Sequence, residues 1–168
     1  MRWDELEEQN CSVSRTLSVI GDRWTMMVLR CCFMRVRRFE EFQMKLGIAR
    51  RVLSERLQKL VEKGVLRKEP YQERPTRYEY RLTQKGLDLY PVIMAMVAWG
   101  DRYMVGEEGI PMRHRHLTCG HAFHAVSTCS ECGEVLDPRE VRLEFLLEET
   151  LFVDGQPMAA RPKTGSDD

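Results

Sequence analysis

The segment between Phe39 and Arg81 constrains the fold of this chain more than any other segment. Its first part predicts two helices, a short amphipathic one around Phe39–Leu46 that ends at Gly47 and a longer one that ends at Gly64. The apolar residues of the longer helix recur at helical spacing and would form its buried side, namely Val52, Leu53, Leu57, Leu60 and Val61.

A β-hairpin is predicted directly after the second helix. Strand-like runs cover Val65–Tyr71 and Tyr78–Leu82, and the polar turn between them, Gln72–Arg77, contains Pro75. Two helices joined by a tight turn and followed by a hairpin have the element order of a winged helix-turn-helix. The predicted fold class is therefore α+β, mainly α, with a winged helix-turn-helix at its centre. The segments described below add flanking dimerisation helices and a small C-terminal β appendage that resembles a zinc ribbon.

The polar side of the second helix predicts contact with double-stranded DNA. Guanidinium and amide groups can pair with two acceptors on a base edge in the major groove, and cations beside the helices and in the hairpin turn would contact phosphates. The alternative is an ordinary helix face exposed to solvent. The predicted DNA-binding residues are Arg37, Arg38, Arg50, Arg51, Ser54, Glu55, Gln58, Lys59, Arg74 and Arg77.

The charge of the chain is unevenly distributed, although its net value is zero. Residues 35–85 contain 15 Lys/Arg and 7 Asp/Glu, whereas residues 134–168 contain 4 Lys/Arg and 9 Asp/Glu. The excess of positive charge therefore coincides with the predicted winged helix. The acidic end of the chain should reduce non-specific adhesion to nucleic acid.

Further helices are predicted before the helix-turn-helix. Trp3–Gln9 is a candidate for a short acidic helix, and a second helix that Cys11 opens carries an apolar stripe of Val13, Leu17 and Ile20. Asp22 is a suitable N-cap for a helix over Arg23–Phe33, which is apolar on most sides and should form the buried centre of the domain.

A long helix is predicted after the hairpin, from the Thr83-Gln84-Lys85-Gly86 motif to about Tyr103. It is apolar over a wide arc, so we expect it to pack against its own copy and the N-terminal helix of a second subunit. Met94, Met96 and Met104 could instead line a ligand cavity.

Several ordered motifs of this chain resemble those of the HxlR family of bacterial winged-helix regulators. The resemblance covers about residues 11–104, and its motifs are Cys11 followed by Arg15-Thr16-Leu17, Ile20-Gly21-Asp22-Arg23-Trp24-Thr25, Val28-Leu29-Arg30, Arg38-Phe39-Glu40-Glu41-Phe42, Val52-Leu53-Ser54-Glu55-Arg56-Leu57 and Arg77-Tyr78-Glu79-Tyr80-Arg81-Leu82-Thr83. It implies a homodimeric repressor or activator that binds an inverted-repeat operator near its target promoter. It also implies that the N-terminal helix and the 84–103 helix form the dimer interface.

The first cysteine is a candidate redox sensor. Cys11 lies where a helix starts, and backbone N–H groups and the helix dipole stabilise a thiolate at such a position. Some proteins that resemble this chain sense quinones, aldehydes or oxidants through a cysteine in this N-terminal position. The alternative is a small buried residue beside the dimer interface. Cys31 and Cys32, which are adjacent on a predicted helix, are expected to be core residues.

A zinc site is predicted beyond the linker at residues 106–111. The sequences His116-Leu117-Thr118-Cys119-Gly120 and Cys129-Ser130-Glu131-Cys132-Gly133 each place two ligands at the spacing that lets a tight turn bind one tetrahedral ion. The predicted ligands of a structural Zn²⁺ are His116, Cys119, Cys129 and Cys132. His121 and His124 compete for the fourth position, and His121 is the better rival. The alternative is a small hairpin that contains three reduced cysteines and no ion.

The predicted organisation is an N-terminal helix or arm at 1–10, a DNA-binding and dimerisation domain at 11–105, a zinc-ribbon-like extension at 112–147 and a mostly disordered tail at 148–168.

Without a signal peptide or an apolar span, a cytoplasmic protein is expected. A zinc-dependent enzyme with Glu131 or Glu134 as its base, and a protein-interaction module that does not bind DNA, are the alternatives to a transcriptional regulator that responds to a redox or small-molecule signal. An enzyme is not expected, because the zinc deaminase signature is absent.

Overall fold

The computed structural model describes residues 5–144 and the backbone of residues 152–153 and 156–157. The elements in chain order are α1 (Ser12–Ile20), α2 (Arg23–Phe33), α3 (Phe39–Leu46), α4 (Arg50–Glu62), β1 (Leu66–Glu73), β2 (Thr76–Leu82), α5 (Gln84–Leu87), α6 (Tyr90–Tyr103), β3 (His114–Arg115), β4 (Ala122–Phe123), a 3₁₀ turn (Pro138–Glu140), β5 (Phe152–Val153) and β6 (Gln156–Pro157). None of the helices in residues 5–144 combines the length and the apolar character that crossing a membrane requires.

Helix α2 forms the centre of the winged helix-turn-helix, as predicted. Its Val28 and Leu29 side chains are fully buried. They belong to the same core as the apolar sides of α3 and α4, whose fully buried members are Phe42, Leu53, Leu57 and Leu60. The predicted bounds of α2 and α3 are confirmed, and the left-handed backbone of Gly47 (φ +59°) ends α3 as its position suggested.

Asp22 connects α2 to α4. Its carboxylate caps α2 by accepting hydrogen bonds from the backbone N–H groups of Trp24 (3.0 Å) and Thr25 (3.1 Å), which confirms the predicted N-cap. The same carboxylate accepts a hydrogen bond from Nε of Arg56 on α4, at 2.8 Å. Burial alone would raise the pKa of Asp22, but the hydrogen bonds from Arg56 and the two N–H groups outweigh it and lower that pKa. Arg56 therefore positions α4 and is not available for DNA.

The hairpin is longer than predicted and its turn is shorter. Strands β1 and β2 are antiparallel, Leu66 pairs with Leu82 and Glu73 pairs with Thr76, so the turn contains only Arg74 and Pro75. The predicted six-residue turn is wrong because polar residues on both sides of Pro75 continue the strand pairing. The segment before α3 joins this sheet, since the Tyr80 N–H donates to the Arg37 carbonyl at 2.8 Å.

The single helix predicted for residues 84–103 is divided into α5 and α6. Pro91, in the first turn of α6, lacks an N–H and hinders a continuous helix through residues 88–89, which therefore separate the two helices. Thr83 caps α5 by accepting the Gly86 N–H at 3.2 Å, and its hydroxyl donates to the Gly64 carbonyl at 2.7 Å. Helix α5 is thereby fixed against the end of α4.

The N-terminal end differs from its predicted helix, and the C-terminal end contains one short described ladder. Residues 5–8 form turns rather than part of a helix over Trp3–Gln9, and Glu7 pairs with Nζ of Lys63 at 2.7 Å. At the other end, β5 pairs with β6 in a two-residue ladder within the stretch predicted to be mostly disordered. The sequence also predicts a final strand or helix from Arg142, Leu143 and Phe145–Leu147. Arg142 and Leu143 adopt neither, and residues 145–147 lie outside the described residues.

Candidate nucleic-acid interface

Helix α4 presents a polar surface because its apolar residues fix its orientation. Leu53, Leu57 and Leu60 are fully buried against the domain. The predicted outward residues Arg51, Ser54, Glu55 and Gln58 are exposed, and 90% of the Arg51 side chain is accessible to solvent. The first turns of α4 therefore offer a cation, a hydroxyl and a carboxylate on one continuous face.

Two arginines in the first turn of α4 are held differently. The guanidinium of Arg50 lies over the ring of Phe39, 4.7 Å from its centroid, so it packs toward α3. The Nε of Arg51 is 2.9 Å from Oε1 of Glu55 one turn later. Such an exposed pair contributes only about 0.3–0.5 kcal/mol, so a base edge or a phosphate can replace Glu55 as the partner of Arg51 at little cost.

The C-terminal half of α4 is less available. Gln58 donates through Nε2 to Oε1 of Glu62 at 2.9 Å. Lys59 is half-buried and lies near Glu7; the hydrogen bond and charge of Lys63 lower the pKa of the Glu7 carboxyl, and the charge of Lys59 contributes to that shift. The N-terminal segment therefore neutralises part of the positive charge at this end. Gln58 and Lys59 are weaker candidates for DNA contact than Arg51 and Ser54.

The hairpin adds exposed cations at its tip and along one strand. Arg74 and Arg77, both predicted, are exposed. The guanidinium of Arg38 lies over the Tyr71 ring at 4.4 Å, and Nζ of Lys68 lies over the Tyr78 ring at 4.2 Å. Lys68 was missed by the sequence analysis. The signal that could have identified it is a lysine diagonally opposite a tyrosine across the hairpin.

Other cations in the hairpin are already paired. The Nε of Arg67 is 2.6 Å from Glu69, and the Nε of Arg81 is 2.6 Å from Glu79 and 3.1 Å from Glu69. Together with Arg35 and Arg37, the side chains of Arg67 and Arg81 line a cleft of about 300 Å³ beside the end of α2. Arg37 therefore lies at this cleft, whereas the guanidinium of Arg38 lies against Tyr71 of the hairpin. The count of Lys and Arg in residues 35–85 therefore overstates the number of cations that are available to DNA.

Apolar side chains are exposed on α1 and α6. Met96, Trp99 and Tyr103 on α6 are 55%, 59% and 63% exposed, and their spacing places them on one side of the helix. Val13 and Leu17 on α1, one turn apart, are 67% and 43% exposed. Of the three methionines that could have lined a cavity, Met94 is buried in the domain, while Met96 and Met104 are exposed.

The cysteines fall into three environments. Cys31 and Cys32 are buried core residues, as predicted, and burial raises the pKa of Cys32 to about 12. Cys11 is half-buried at the N-cap of α1, where its carbonyl accepts the Arg15 N–H at 3.0 Å. Cys119, Cys129 and Cys132 lie in the C-terminal extension.

The four predicted zinc ligands lie in two turns, and the two ligands of the first turn are in contact. Sγ of Cys119 is 3.4 Å from Nδ1 of His116. Hydrogen bonds from the backbone of Cys132 and Glu131, and from the Cys132 side chain, lower the pKa of Cys129. Within the described residues, no three His, Cys, Asp or Glu side chains meet closely enough to form a metal site.

Comparison with known proteins identifies the same class of molecule throughout. The HxlR-like helix-turn-helix family matches residues 19–108. The uncharacterized HTH-type transcriptional regulator Rv3095 of Mycobacterium tuberculosis (strain ATCC 25618 / H37Rv) is 44% identical over 133 residues, which are 79% of this chain and 84% of that protein. These matches agree with the winged helix-turn-helix geometry.

Two solved structures extend the comparison. The crystal structure of the candidate transcription factor PA1607 superposes with a TM-score of 0.75 at 34% identity, covering 83% of this chain and 98% of that chain. The redox regulator HypR in its oxidized form superposes with a TM-score of 0.52 at 32% identity, covering 57% of this chain and all of that chain (100%). A reduced form of HypR matches similarly, with a TM-score of 0.51.

Proposed function

The chain belongs to the HxlR-like helix-turn-helix family and is a DNA-binding transcriptional regulator, and we propose that it acts as a homodimer on an inverted-repeat operator. Each protomer would place the N-terminal turns of α4 in a major groove, with Arg51 and Ser54 at the base edges. The two grooves would be about 34 Å apart, which is one turn of B-DNA. The exposed first turns of α4 are the observation that carries this proposal.

The hairpin would contact the flanking backbone in this complex. Arg74 and Arg77 at its tip are exposed, and Arg38 and Lys68 lie over the rings of two tyrosines. Stacking of a cation on an aromatic ring restricts the side chain, so less conformational entropy is lost when the cation meets a phosphate. These contacts position the protein, whereas Arg51 and Ser54 would provide sequence preference.

The second protomer would cover the exposed apolar residues of α1 and α6. Three exposed apolar side chains on one side of α6, and two on α1, are more than a single small domain commonly leaves in water on two helices. A two-fold arrangement buries both sets at once, because each copy offers the same surface. The dimer is also what makes an inverted repeat the expected operator.

Replacing Trp99 with glutamate should dissociate this dimer. Two carboxylates would be buried at the interface without partners, so we expect a monomer by sedimentation velocity and operator affinity lowered roughly 100-fold or more, because the two half-sites would then bind independently. Leu143→Glu, at a 75% exposed position of the C-terminal extension, is the matched control and should remain dimeric. A dimeric Trp99→Glu variant with normal operator affinity would exclude α6 as the interface.

We further propose that the regulator responds to an oxidant through Cys11. Two observations support this: the position of Cys11 at the N-cap of α1, and the similarity to HypR, whose reduced and oxidized forms are both known. With hydrogen peroxide, the Cys11 thiolate would attack one oxygen and the O–O bond would break, giving a sulfenic acid and a hydroxide ion that takes a proton from solvent to become water. Because α1 carries part of the proposed interface, oxidation there would alter the spacing of the two α4 helices.

The role of Cys11 can be tested by operator binding before and after peroxide. The affinity of the wild-type protein for the operator should change by roughly tenfold or more, which is a common size for the coupling between two sites. Reduction with a dithiol should restore the original affinity. Cys11→Ser should bind equally well under both conditions, and Cys132→Ser should respond like the wild type. A response retained by Cys11→Ser but lost in Cys132→Ser would move the sensor to the C-terminal extension.

A small-molecule signal is the alternative to an oxidant, and the cleft beside α2 favours an anionic ligand. Apolar residues and Arg35, Arg37, Arg67 and Arg81 line it. Because Arg67 and Arg81 are paired with Glu69 and Glu79, Arg35 and Arg37 would have to attract the anion. An enzyme is disfavoured, because Glu131 and Glu134, the acids that could act as a base, lie on exposed turns and the relatives are regulators. A protein-interaction module that does not bind DNA is disfavoured by the same relatives.

A further inference from the structure

The C-terminal extension contains two copies of the same turn. In each copy the N–H of the first residue donates to the carbonyl five residues later, from His116 to His121 at 2.9 Å and from Cys129 to Glu134 at 2.8 Å. The carbonyl of that first residue accepts the N–H of the glycine four residues later, at 2.8 Å for Gly120 and 2.9 Å for Gly133.

The glycines complete the equivalence of the two turns. Gly120 has φ +71° and Gly133 has φ +76°, a left-handed conformation that other residues adopt only with strain. Two segments of different sequence thus share their hydrogen bonds, their glycine conformation and the place of two metal-ligand residues. A repeated turn of this kind is what a zinc ribbon requires from each half of its site.

Apolar burial does not explain why these turns are ordered. In the extension the larger apolar side chains are exposed, and Leu117, Val126, Val135 and Leu143 range from 57% to 87%. Its strands are the two-residue pair β3 and β4, with one isolated bridge between Thr128 and Val135. A segment of about 30 residues without an apolar core commonly needs a metal or a disulfide to fold.

The contact within the first pair fits one tetrahedral ion. Zinc–nitrogen and zinc–sulfur bonds of about 2.0–2.1 and 2.3 Å at a tetrahedral angle separate the two ligand atoms by about 3.6 Å. Nδ1 of His116 and Sγ of Cys119 are 3.4 Å apart. In the second turn, Cys129 and Cys132 occupy the same places relative to Gly133 as His116 and Cys119 do relative to Gly120. The two turns thus offer equivalent ligand pairs, and one ion would bind all four ligands only if the two turns approach each other.

We propose that one Zn²⁺ bound by His116, Cys119, Cys129 and Cys132 closes the two turns into a structural zinc ribbon. Three thiolates and one imidazole are a ligand set that favours zinc over harder cations such as Mg²⁺ or Ca²⁺. Binding releases the protons of three thiols to solvent and uses neutral His116. With four protein ligands no coordination position remains open for substrate, so the ion would be structural.

The similarity to one relative extends into the C-terminal extension. Any continuous stretch of 133 residues in a chain of 168 contains residues 116–132, so the match to Rv3095 spans both turns, whereas the family match ends at residue 108. The similarity to that regulator therefore continues beyond the winged helix and over the segment that contains both turns. The zinc site is independent of the proposed operator contacts, which lie on α4 and the hairpin.

The test is metal binding by the full chain. Purified wild-type protein should contain about one zinc per chain by elemental analysis. Cobalt added to metal-free protein should bind with one-to-one stoichiometry and give the thiolate charge-transfer and tetrahedral d–d absorption bands. Cys119→Ser and Cys132→Ser should bind at least tenfold less tightly, with DNA binding intact, and Cys11→Ser is the matched cysteine control that should retain the metal.

Two further variants identify the nitrogen ligand. His116→Ala should weaken cobalt binding and shift the d–d bands, whereas His121→Ala should leave both unchanged. The reverse pattern would replace His116 by His121 as the ligand. The proposal is overturned if reduced, metal-free wild-type protein shows no saturable cobalt binding, or if Cys119→Ser and Cys132→Ser bind cobalt as well as the wild type does. Either result would leave the proposed operator binding unaffected.

Discussion

Arg51→Ala is expected to weaken binding to the operator more than any other single truncation on α4. A bidentate contact between an arginine and a base contributes about 1–3 kcal/mol, and a symmetric dimer loses it twice, so affinity should fall roughly 30-fold to 25,000-fold. The fold should be preserved, because the Arg51–Glu55 pair is exposed and stabilises α4 by only about 0.3–0.5 kcal/mol. Thermal unfolding of the variant should therefore match that of the wild type.

The measurement is fluorescence anisotropy on a duplex that the wild-type protein selects from a random pool, at several salt concentrations. Arg139→Ala is the matched control, since Arg139 is exposed, its charge change is the same and it pairs with Asp137 in the C-terminal extension. The control should bind within about twofold of the wild type, because a single distant charge is largely screened at physiological salt.

The salt dependence separates two roles for Arg51. If Arg51 reads a base edge, the variant should lose affinity for the selected duplex but little for unrelated DNA, and its salt slope should change little. If Arg51 contacts a phosphate, affinity should fall equally on both duplexes and the slope should decrease by about one for each protomer. An Arg51→Ala protein that binds the selected duplex as well as the wild type would contradict the proposed placement of α4.

The helix-turn-helix was predictable because its signals are local. Gly47 ends α3 and Gly64 follows α4, each with positive φ, and between them Leu53, Leu57 and Leu60 recur on one side of the helix and are fully buried. The exposed face of α4 follows directly from that spacing. The identity of the residues that face solvent could therefore be derived from the sequence, whereas their contacts with DNA remain predictions.

The features that were missed depend on residues far apart in the chain. Arg56 pairs with Asp22, 34 residues earlier, and becomes part of the domain instead of its DNA surface. Arg67 and Arg81 are neutralised by Glu69 and by Glu79 because of the strand register, which a charge count does not contain. The break between α5 and α6 has a local signal in Pro91, whose effect on an apolar helical pattern was underestimated.

A second long-range feature is the close packing around Gly86. This glycine is buried in α5, and a Cβ added to it would overlap the backbone carbonyl of Val65 and approach Cδ2 of Leu82 to 2.9 Å. The contact arises because Val65, between α4 and β1, also accepts the Thr83 N–H at 3.1 Å. The carbonyl cannot move away without breaking the link between the end of α4 and the cap of α5.

Gly86→Ala should therefore destabilise the winged helix domain, against the direction that helix propensity predicts. Alanine in a helix is favoured over glycine by about 1 kcal/mol, whereas forcing a methyl group into a packed backbone contact typically costs about 1–3 kcal/mol and here opposes a carbonyl rather than a flexible side chain. We expect the cost of the clash to exceed the gain in helix propensity. Thermal unfolding should then occur about 4–8 °C lower for each net kcal/mol lost from a domain of this size.

The matched control is Gly100→Ala on α6, where an added Cβ meets no atom within 4 Å. Its melting temperature should equal or slightly exceed that of the wild type, provided that sedimentation shows the same oligomeric state as the wild type, since Gly100 adjoins the exposed Trp99. Both variants are compared by circular dichroism at equal concentration. If Gly86→Ala melts at or above the wild-type temperature, the approach of Val65 to α5 is looser than the structure indicates, and Thr83 alone would have to hold α5 against α4.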